Sequence, residues 1–337
     1  MSRADTGRLV GLVRAFAGRR VVVVGDAVAD QFLSGEIARV SREAPVLILR
    51  HERTETVPGG AANCANNLAA LGARSSLVGV VGNDEAGRAL SSRLRESGVD
   101  CAGLVRSPVL QTTTKVRVLA GHPHSLRQQV IRIDYEAQPS SDDSLVADLC
   151  ARLRAAAASA DALIISDYNY GVAGAPVVAA LREIGVAREI PVLVDSRFRL
   201  TEFTGFTAAT PNEDEVEQVL GRRLEGAAAL EEAAAELLPR LGHRALLVTR
   251  GKQGMLLAEA GRPPIHLPAV GERDAIDVTG AGDTVIATFA LALAAGATFA
   301  EAATLSNHAG GRVVMKRGTA CVTPQELIES LEDEAGG

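Results

Sequence analysis

The feature that most constrains this chain is a repeated pairing of two patterns. A short, wholly apolar run rich in β-branched residues is followed by a longer segment with helical spacing. Val21-Val22-Val23-Val24-Gly25-Asp26 is the clearest such run, and similar ones occupy residues 76–81, 162–167, 191–195 and 245–249. Runs without polar alternation read as strands buried on both faces. Helix-like segments lie between them at 60–71, 85–96, 145–158, 175–184 and 226–241. Alternation of this kind implies a mostly parallel sheet with helices on both faces, an α/β fold. Several of the runs end in Asp or Thr, at the carboxyl ends where such sheets hold their ligands.

Two segments break the rhythm. Residues 31–57 hold Val46-Leu47-Ile48-Leu49 among polar neighbours, and residues 112–135 hold Thr114 to Leu119 and Gln129 to Asp134. Their alternation reads as antiparallel strands outside the main sheet, a small β lid inserted into one α/β domain. No repeat, low-complexity tract or linker marks a second domain.

Composition narrows the function. A formal charge of −6 argues against a nucleic-acid or anionic-membrane surface, so any phosphate must be held by local donors. With 3% aromatics and no Trp, the core must be built from Ala, Val, Leu and Ile. Cys64, Cys101, Cys150 and Cys321 form no close pair, which points to a reducing cytoplasm and away from a disulfide framework or zinc site. Residues 1–20 lack the apolar core of a signal peptide, and the Ala-rich stretch 285–300 is too weak for a membrane span. Gly121-His122-Pro123-His124 reads as a turn and not as a metal site.

The strongest chemical signal is Asp277-Val278-Thr279-Gly280-Ala281-Gly282-Asp283-Thr284, followed at once by an apolar helical pattern. Gly280, Ala281 and Gly282 allow backbone N–H groups to converge, and the following helix adds its positive end. Such a pocket suits a transferring phosphoryl group, with Asp283 beside it to accept a proton. A lone glycine turn with Asp283 as a helix cap is the blander reading. Other nucleotide and hydrolase signatures fail on residues: there is no G-x-x-x-x-G-K-[ST], no G-x-G-x-x-G, no G-x-S-x-G and no H-E-x-x-H. Upstream, Pro58-Gly59-Gly60 allows close backbone approach, and Asn63 follows on the first helical turn. A plain helix start explains that segment equally well.

Together the two segments resemble the paired signatures of the PfkB (ribokinase-like) carbohydrate kinases. The resemblance covers about residues 21–323. It also rests on Gly25-Asp26 with Asp30, Ser41-Arg42-Glu43-Ala44-Pro45-Val46, Gln129 to Asp134, Ser166-Asp167-Tyr168, Thr210-Pro211-Asn212-Glu213 and Leu247-Val248-Thr249-Arg250. Within the family it is nearest to the kinase domain of the bifunctional heptose-7-phosphate kinase/ADP-heptose synthase. It implies one kinase domain over residues 1–337, a three-layer ribokinase-like sandwich with a β lid.

The same resemblance implies roles. Asp283 is the base on the sugar hydroxyl, with Gly280, Ala281 and Gly282 as anion hole. Asp30, Gly59, Gly60 and Asn63 grip the sugar. Asn212 and Glu215 orient Mg²⁺ and phosphate, Glu215 indirectly, although a helix start after Pro211 accounts for them too. Thr249, Gly251 and Gly254 line the nucleotide side with Asn307 near the base, and Asp277 and Thr279 could hold a monovalent cation such as K⁺. Arg42, Arg132 and Arg197 are candidates to meet a phosphate already on the substrate, against an ordinary solvated-surface reading. The implied reaction is transfer from ATP to the anomeric hydroxyl of D-glycero-D-manno-heptose 7-phosphate. Ribose, fructose 1-phosphate or nucleoside kinases, and a catalytically silent sensor, are the alternatives. Lid pairing in a homodimer would cover an exposed sheet edge.

The chain departs from the heptose-kinase pattern twice. Tyr170 stands where a Lys is common, and Asp195-Ser196-Arg197 replaces Asp-Pro-Lys. Both changes fall on the presumed phosphate grip and leave the phosphoryl-transfer residues untouched. No T-x-G-x-x-H-x-G-H segment is present, so the adenylylating half is expected to be missing.

Overall fold

The computed structural model describes residues 3–121, 127–136, 142–271 and 275–336. The main sheet is built from β1 (Arg20–Gly25), β4 (Arg74–Gly82), β5 (Leu104–Ser107), β8 (Ala162–Asp167), β9 (Val192–Ser196), β10 (Ala208–Ala209), β11 (Ala245–Thr249), β12 (Met255–Glu259) and β13 (Ile265–Leu267). Its order is β13-β12-β11-β10-β9-β8-β1-β4-β5, parallel throughout except that β12 runs against both neighbours. The helices are α1 (Arg3–Arg14), α2 (Ala61–Ala70), α3 (Glu85–Glu96), α4 (Asp143–Ala157), α5 (Ala175–Arg188), α6 (Glu213–Leu220), α7 (Gly226–Leu241), α8 (Ala281–Ala294), α9 (Phe299–Val313) and α10 (Pro324–Gly336).

Strand alternation divides the core in two. Val21 and Val23 pack with residues of α1, α2, α3, α8, α9 and α10 on one face. Val22 and Val24 pack with α4, α5, α6 and α7 on the other. Each of these valines is at most 2% exposed, which stabilises the fold by roughly 1.5–3 kcal/mol per side chain. The result is helix, sheet and helix in three layers.

A second sheet has the order β3-β2-β6-β7, where β2 is Ala27–Val40, β3 Leu47–Gly60, β6 Thr114–Gly121 and β7 Gln128–Tyr135. These strands were expected from residues 31–57 and 112–135, but not with this pairing. β2 and β3 form a long antiparallel hairpin and β6 and β7 another, while β2 and β6 run parallel, Ala29 opposite Thr114. The chain crosses α2, β4, α3 and β5 between them, and a crossover of that length returns in the same direction. The residues around His122 and His124 lie outside the described ones.

Two features aim this frame at one place. Strand order reverses between β8 and β1, and their carboxyl ends open a crevice there. Asp26, just past β1, accepts backbone N–H bonds from Tyr168, Tyr170 and Val172 at 2.8, 3.0 and 3.1 Å. That fixes the loop after β8. Among the described residues, no helix is long and apolar enough to cross a membrane.

Candidate active site

Helix α8 begins in the crevice. Its first residues follow Gly280, whose φ of 77° is left-handed and whose missing side chain leaves room for Asn63: a Cβ there would lie 2.6 Å from Asn63 Nδ2. Asp283 sits on the first turn, 3% exposed, at a helix start where the Ala281 N–H, expected in the anion hole, is already donated to the Val278 carbonyl at 3.2 Å. Asn63 Nδ2 donates to Asp283 Oδ2 at 2.7 Å and Tyr168 Oη donates to Oδ1 at 3.1 Å. Burial pushes Asp283 up to about 7, against the pull of these two donors. Burial and the Asp283 charge push the Tyr168 phenol well above its ordinary value, so that hydroxyl stays a donor.

Behind this pair the wiring continues. Asn67 Nδ2 donates to Asn63 Oδ1 at 3.2 Å and to the Asn63 carbonyl at 2.9 Å, and Thr284 Oγ1 donates to Asn67 Oδ1 at 2.9 Å. Asn67 and Thr284 are fully buried. The first turn of α8 and the start of α2 are thereby locked together.

Two cavities meet at this turn. A polar one of about 750 Å³ is lined by Asp167, Tyr168, Asp195, Arg197, Asn212, Glu215 and Asp283 among others. An apolar one of about 780 Å³ is lined by Met255, Val270, Val285, Val314, Gly310 and Asn307 among others. Thr249, Val278 and Gly282 belong to both walls. A Cβ on Gly282 would meet nothing within 4 Å, so that position opens into the space between them.

In the polar cavity, burial and the charge of Glu215 push Asp195 well above the usual carboxylate range. Burial raises Glu215 to about 7, against the backbone N–H of Asn212. Asn212 and Glu215 do form a helix start: Asn212 Oδ1 accepts from Glu215 N at 2.8 Å, and Glu215 Oε2 accepts from Asn212 N at 2.9 Å. The helix-start reading of this pair is thereby met, and both residues also line the cavity.

The remaining expected residues separate into groups. Gly251, Gly254 and Asn307 line the apolar cavity, and Asn307 donates to the Pro268 carbonyl at 2.7 Å. Asp277 Oδ1 accepts from Thr279 N and Oδ2 from Gly318 N, both at 2.9 Å. Among the described residues no cluster of three or more His, Cys, Asp or Glu could hold a metal by itself. Asp30 is buried and ion-paired with Arg117, and Gly59 lies against it: a Cβ there would sit 2.5 Å from Asp30 Oδ2. Gly60, φ 56°, starts α2 beside Tyr168. Asn63, expected on the sugar, donates its side-chain amide to the Asp283 carboxylate. Arg197 lines the polar cavity.

Arg42 and Arg132 are not brought there. Arg42 lies in the exposed turn at the far tip of the β2–β3 hairpin, and Arg132 lies on exposed β7, paired with Asp134 at 2.9 Å. Sequence reasoning gave no role to Lys115, Arg117 or Asn67, and none to Tyr168 beyond its place in a motif. Lys115 and Arg117 alternate along one strand and so share a face, the one signal that was available.

A model of the pfkB family of carbohydrate kinases matches residues 19–326. The chain belongs to this family. Among curated proteins it is 44% identical to the Bifunctional protein HldE of Caulobacter vibrioides over 331 residues, 97% of this chain and 66% of that protein. It is 42% identical to the HldE of Nitrosococcus oceani over 325 residues, 95% and 65% of the two chains. The chain thus spans about two thirds of the length of these relatives. Among solved structures, Arabidopsis thaliana ribokinase complexed with ribose and ATP matches with TM-score 0.72 at 22% identity, over 94% of this chain and 99% of that one. Escherichia coli phosphofructokinase-2 in complex with potassium matches with TM-score 0.77 at 20% identity, over the same 94% and 99%. The fold is ribokinase-like, and the pfkB kinase is a carbohydrate kinase by family.

Proposed function

We propose that this pfkB kinase transfers the γ-phosphate of ATP to the anomeric hydroxyl of D-glycero-D-manno-heptose 7-phosphate, giving ADP and the 1,7-bisphosphate. The observation that carries the reading is Asp283: a buried carboxylate, pushed up to about 7, on the helix turn where the two cavities meet. A base of that strength is matched to a sugar hydroxyl near neutral pH. The apolar cavity suits an adenine, the polar one a sugar, and Gly282 between them suits the phosphate in transit. Resemblance to the heptose-phosphate kinase domain, together with 44% identity to an HldE, supports the choice of sugar.

In this mechanism Asp30, held by Arg117, orients sugar hydroxyls, and Asn63 and Tyr168 keep Asp283 aimed at the reacting one. The hydroxyl oxygen attacks the γ-phosphorus in line while its proton passes to Asp283, and ADP leaves with the bridging oxygen. The amides at the start of α8 receive the charge spread over the transferring oxygens. Glu215 raises the proton affinity of Asp195, and a cation between them would relieve that repulsion, so the donor set fits a Mg²⁺ carried in by the nucleotide. Bound there, magnesium would neutralise phosphate charge. Asp277 keeps lone pairs beyond its two amide bonds, enough with Thr279 to hold a monovalent cation. The small sheet acts as a lid, and the exposed Val130, Ile131, Ile133 and Tyr135 on its edge strand support pairing with a second copy.

The test is an ADP-release screen over heptose 7-phosphate, fructose 6-phosphate, fructose 1-phosphate, ribose and nucleosides. Heptose 7-phosphate should give the highest kcat/KM. A higher value for another sugar overturns the substrate assignment. Clear ATP binding with no turnover of any sugar makes the chain a sensor.

A further inference from the structure

Lys115 is the cation in this protein whose surroundings are least explained by the fold. It sits half-buried on β6, its ammonium 5.8 Å from the ring centroids of both Tyr168 and Tyr170. Among the described residues that ammonium makes no hydrogen bond or ion pair. The carboxylates across the strands from it are Asp30 on β2 and Asp134 on β7. Each holds an arginine instead: Asp30 holds Arg117, and Asp134 holds Arg132. Burial lowers the Lys115 pKa, Asp30 pulls it back part of the way, and the guanidinium of Arg197 adds repulsion. Among the described residues the Arg197 guanidinium likewise makes no hydrogen bond or ion pair; it lies over the Phe198 ring at 5.6 Å and acts on Asp195 and Glu215 at longer range.

Two cations without an ion-pair partner among the described residues therefore lie near one another at the sugar end of the site. Lys115 is half-buried and Arg197 exposed, so water screens part of their repulsion, and an anion between them would be attracted to both. Asp30 and Asp134 pull on Lys115, and Asp195 and Glu215 stand near Arg197, yet among the described residues none of the four forms an ion pair with either cation. The two tyrosine rings hold the ammonium in place, and Asp26 holds the loop that carries both rings. Tyr168 also reaches the base, so this position lies beside the reacting sugar and not beside the adenine.

We propose that Lys115, with Arg197 opposite, is the receptor for a phosphate already carried by the sugar, and that it makes the kinase prefer phosphorylated over free sugars. This deepens the reading above and rests on it. It also explains why Tyr170 can stand where a lysine was expected: the ammonium arrives from the small sheet, and the tyrosine supplies a wall for it.

The experiment compares kcat/KM for a sugar phosphate with that for the same sugar unphosphorylated, first in the wild type and then in Lys115→Met and Lys115→Arg. The wild-type ratio, and the sugar that gives it, test the proposed function. The change in ratio tests the inference. Lys115→Met should lower the preference for the phosphorylated form by about 10- to 100-fold, the size of a lost charge-assisted contact. KM for the sugar phosphate should move and KM for ATP should not. Lys115→Arg should keep most of the preference, which also guards against a variant that fails to fold. An equal loss on both sugars, or an unchanged ratio, overturns the assignment even where the wild type prefers heptose 7-phosphate. If the wild type prefers a different sugar phosphate and Lys115→Met abolishes that preference, the inference stands and the choice of heptose falls. A sugar acid turned over faster than any sugar phosphate overturns the phosphate receptor.

Discussion

The two cavities beside α8 share a wall and almost nothing else. On one side, Asp167, Asp195, Glu215 and Asp283 crowd together, and burial displaces the proton affinities of Asp195, Glu215 and Asp283. On the other side, valines, a methionine and the small residues Gly310 and Gly311 surround a single amide, and that amide is already spent on Pro268. On the proposed function, the polar cavity stores electrostatic work in fixed dipoles and confined charge that would act on the transition state. The apolar cavity offers area, which binds ground and transition states alike. Damage to the first should therefore appear in kcat and damage to the second in KM.

The strongest attempt to break that division is Asp283→Asn. It keeps the shape and removes the base, so kcat should fall by about 10²–10⁴-fold with sugar affinity and melting temperature nearly unchanged. Near-normal turnover removes Asp283 from the chemistry. Gly282→Val tests the shared wall: the added methyls enter open space, so the fold should hold while turnover drops about 10²-fold. Undiminished activity there dissolves the idea of a common passage. Gly310→Leu crowds the apolar side only, where Val285 and Met255 already lie 3.4 and 3.5 Å from a Cβ. It should raise KM for ATP about tenfold, with kcat and sugar KM little changed.

The smallest effect sharpens the polar side. Asp283 works deprotonated, so kcat/KM should rise with pH through about 7. The Asn63 donor lowers that value, and Asn63→Ala should shift the acid limb to higher pH. Leaving a buried carboxylate short of a partner should also cost about 1–3 kcal/mol of stability, seen as a lower melting temperature. A pH profile identical to wild type separates Asn63 from the base.

What could be read from the sequence was what is local. The valines of β1 announce a buried strand because nothing polar interrupts them, and Gly280 to Asp283 announce a helix start with a carboxylate on it. What could not be read depends on register and long-range contact. Whether Asp30 meets Lys115 or Arg117 is decided by how β2 aligns with β6, and a shift of one residue would send those side chains to the other face. Asn67 and Thr284 find each other only once α2 and α8 pack. Arg42 looked like a phosphate ligand beside a family motif, but a hairpin of two 14-residue strands carries it away from the crevice. β10 and β13, two and three residues long, carry too little pattern to announce themselves.

The parallel pairing of β2 with β6 also dictates an order of events as the chain is made. The β2–β3 hairpin is complete once Gly60 has been synthesised, yet the strand that covers its edge begins at Thr114. Between the two the ribosome delivers α2, β4, α3 and β5, which belong to the main sheet. The small sheet can close only after β1, β4 and β5, three of the nine strands of the large sheet, have been made, because the chain between β3 and β6 runs through β4 and β5. A nascent chain stalled before Thr114 would therefore present an open strand edge, and this stretch of synthesis is where a chaperone would have most to protect.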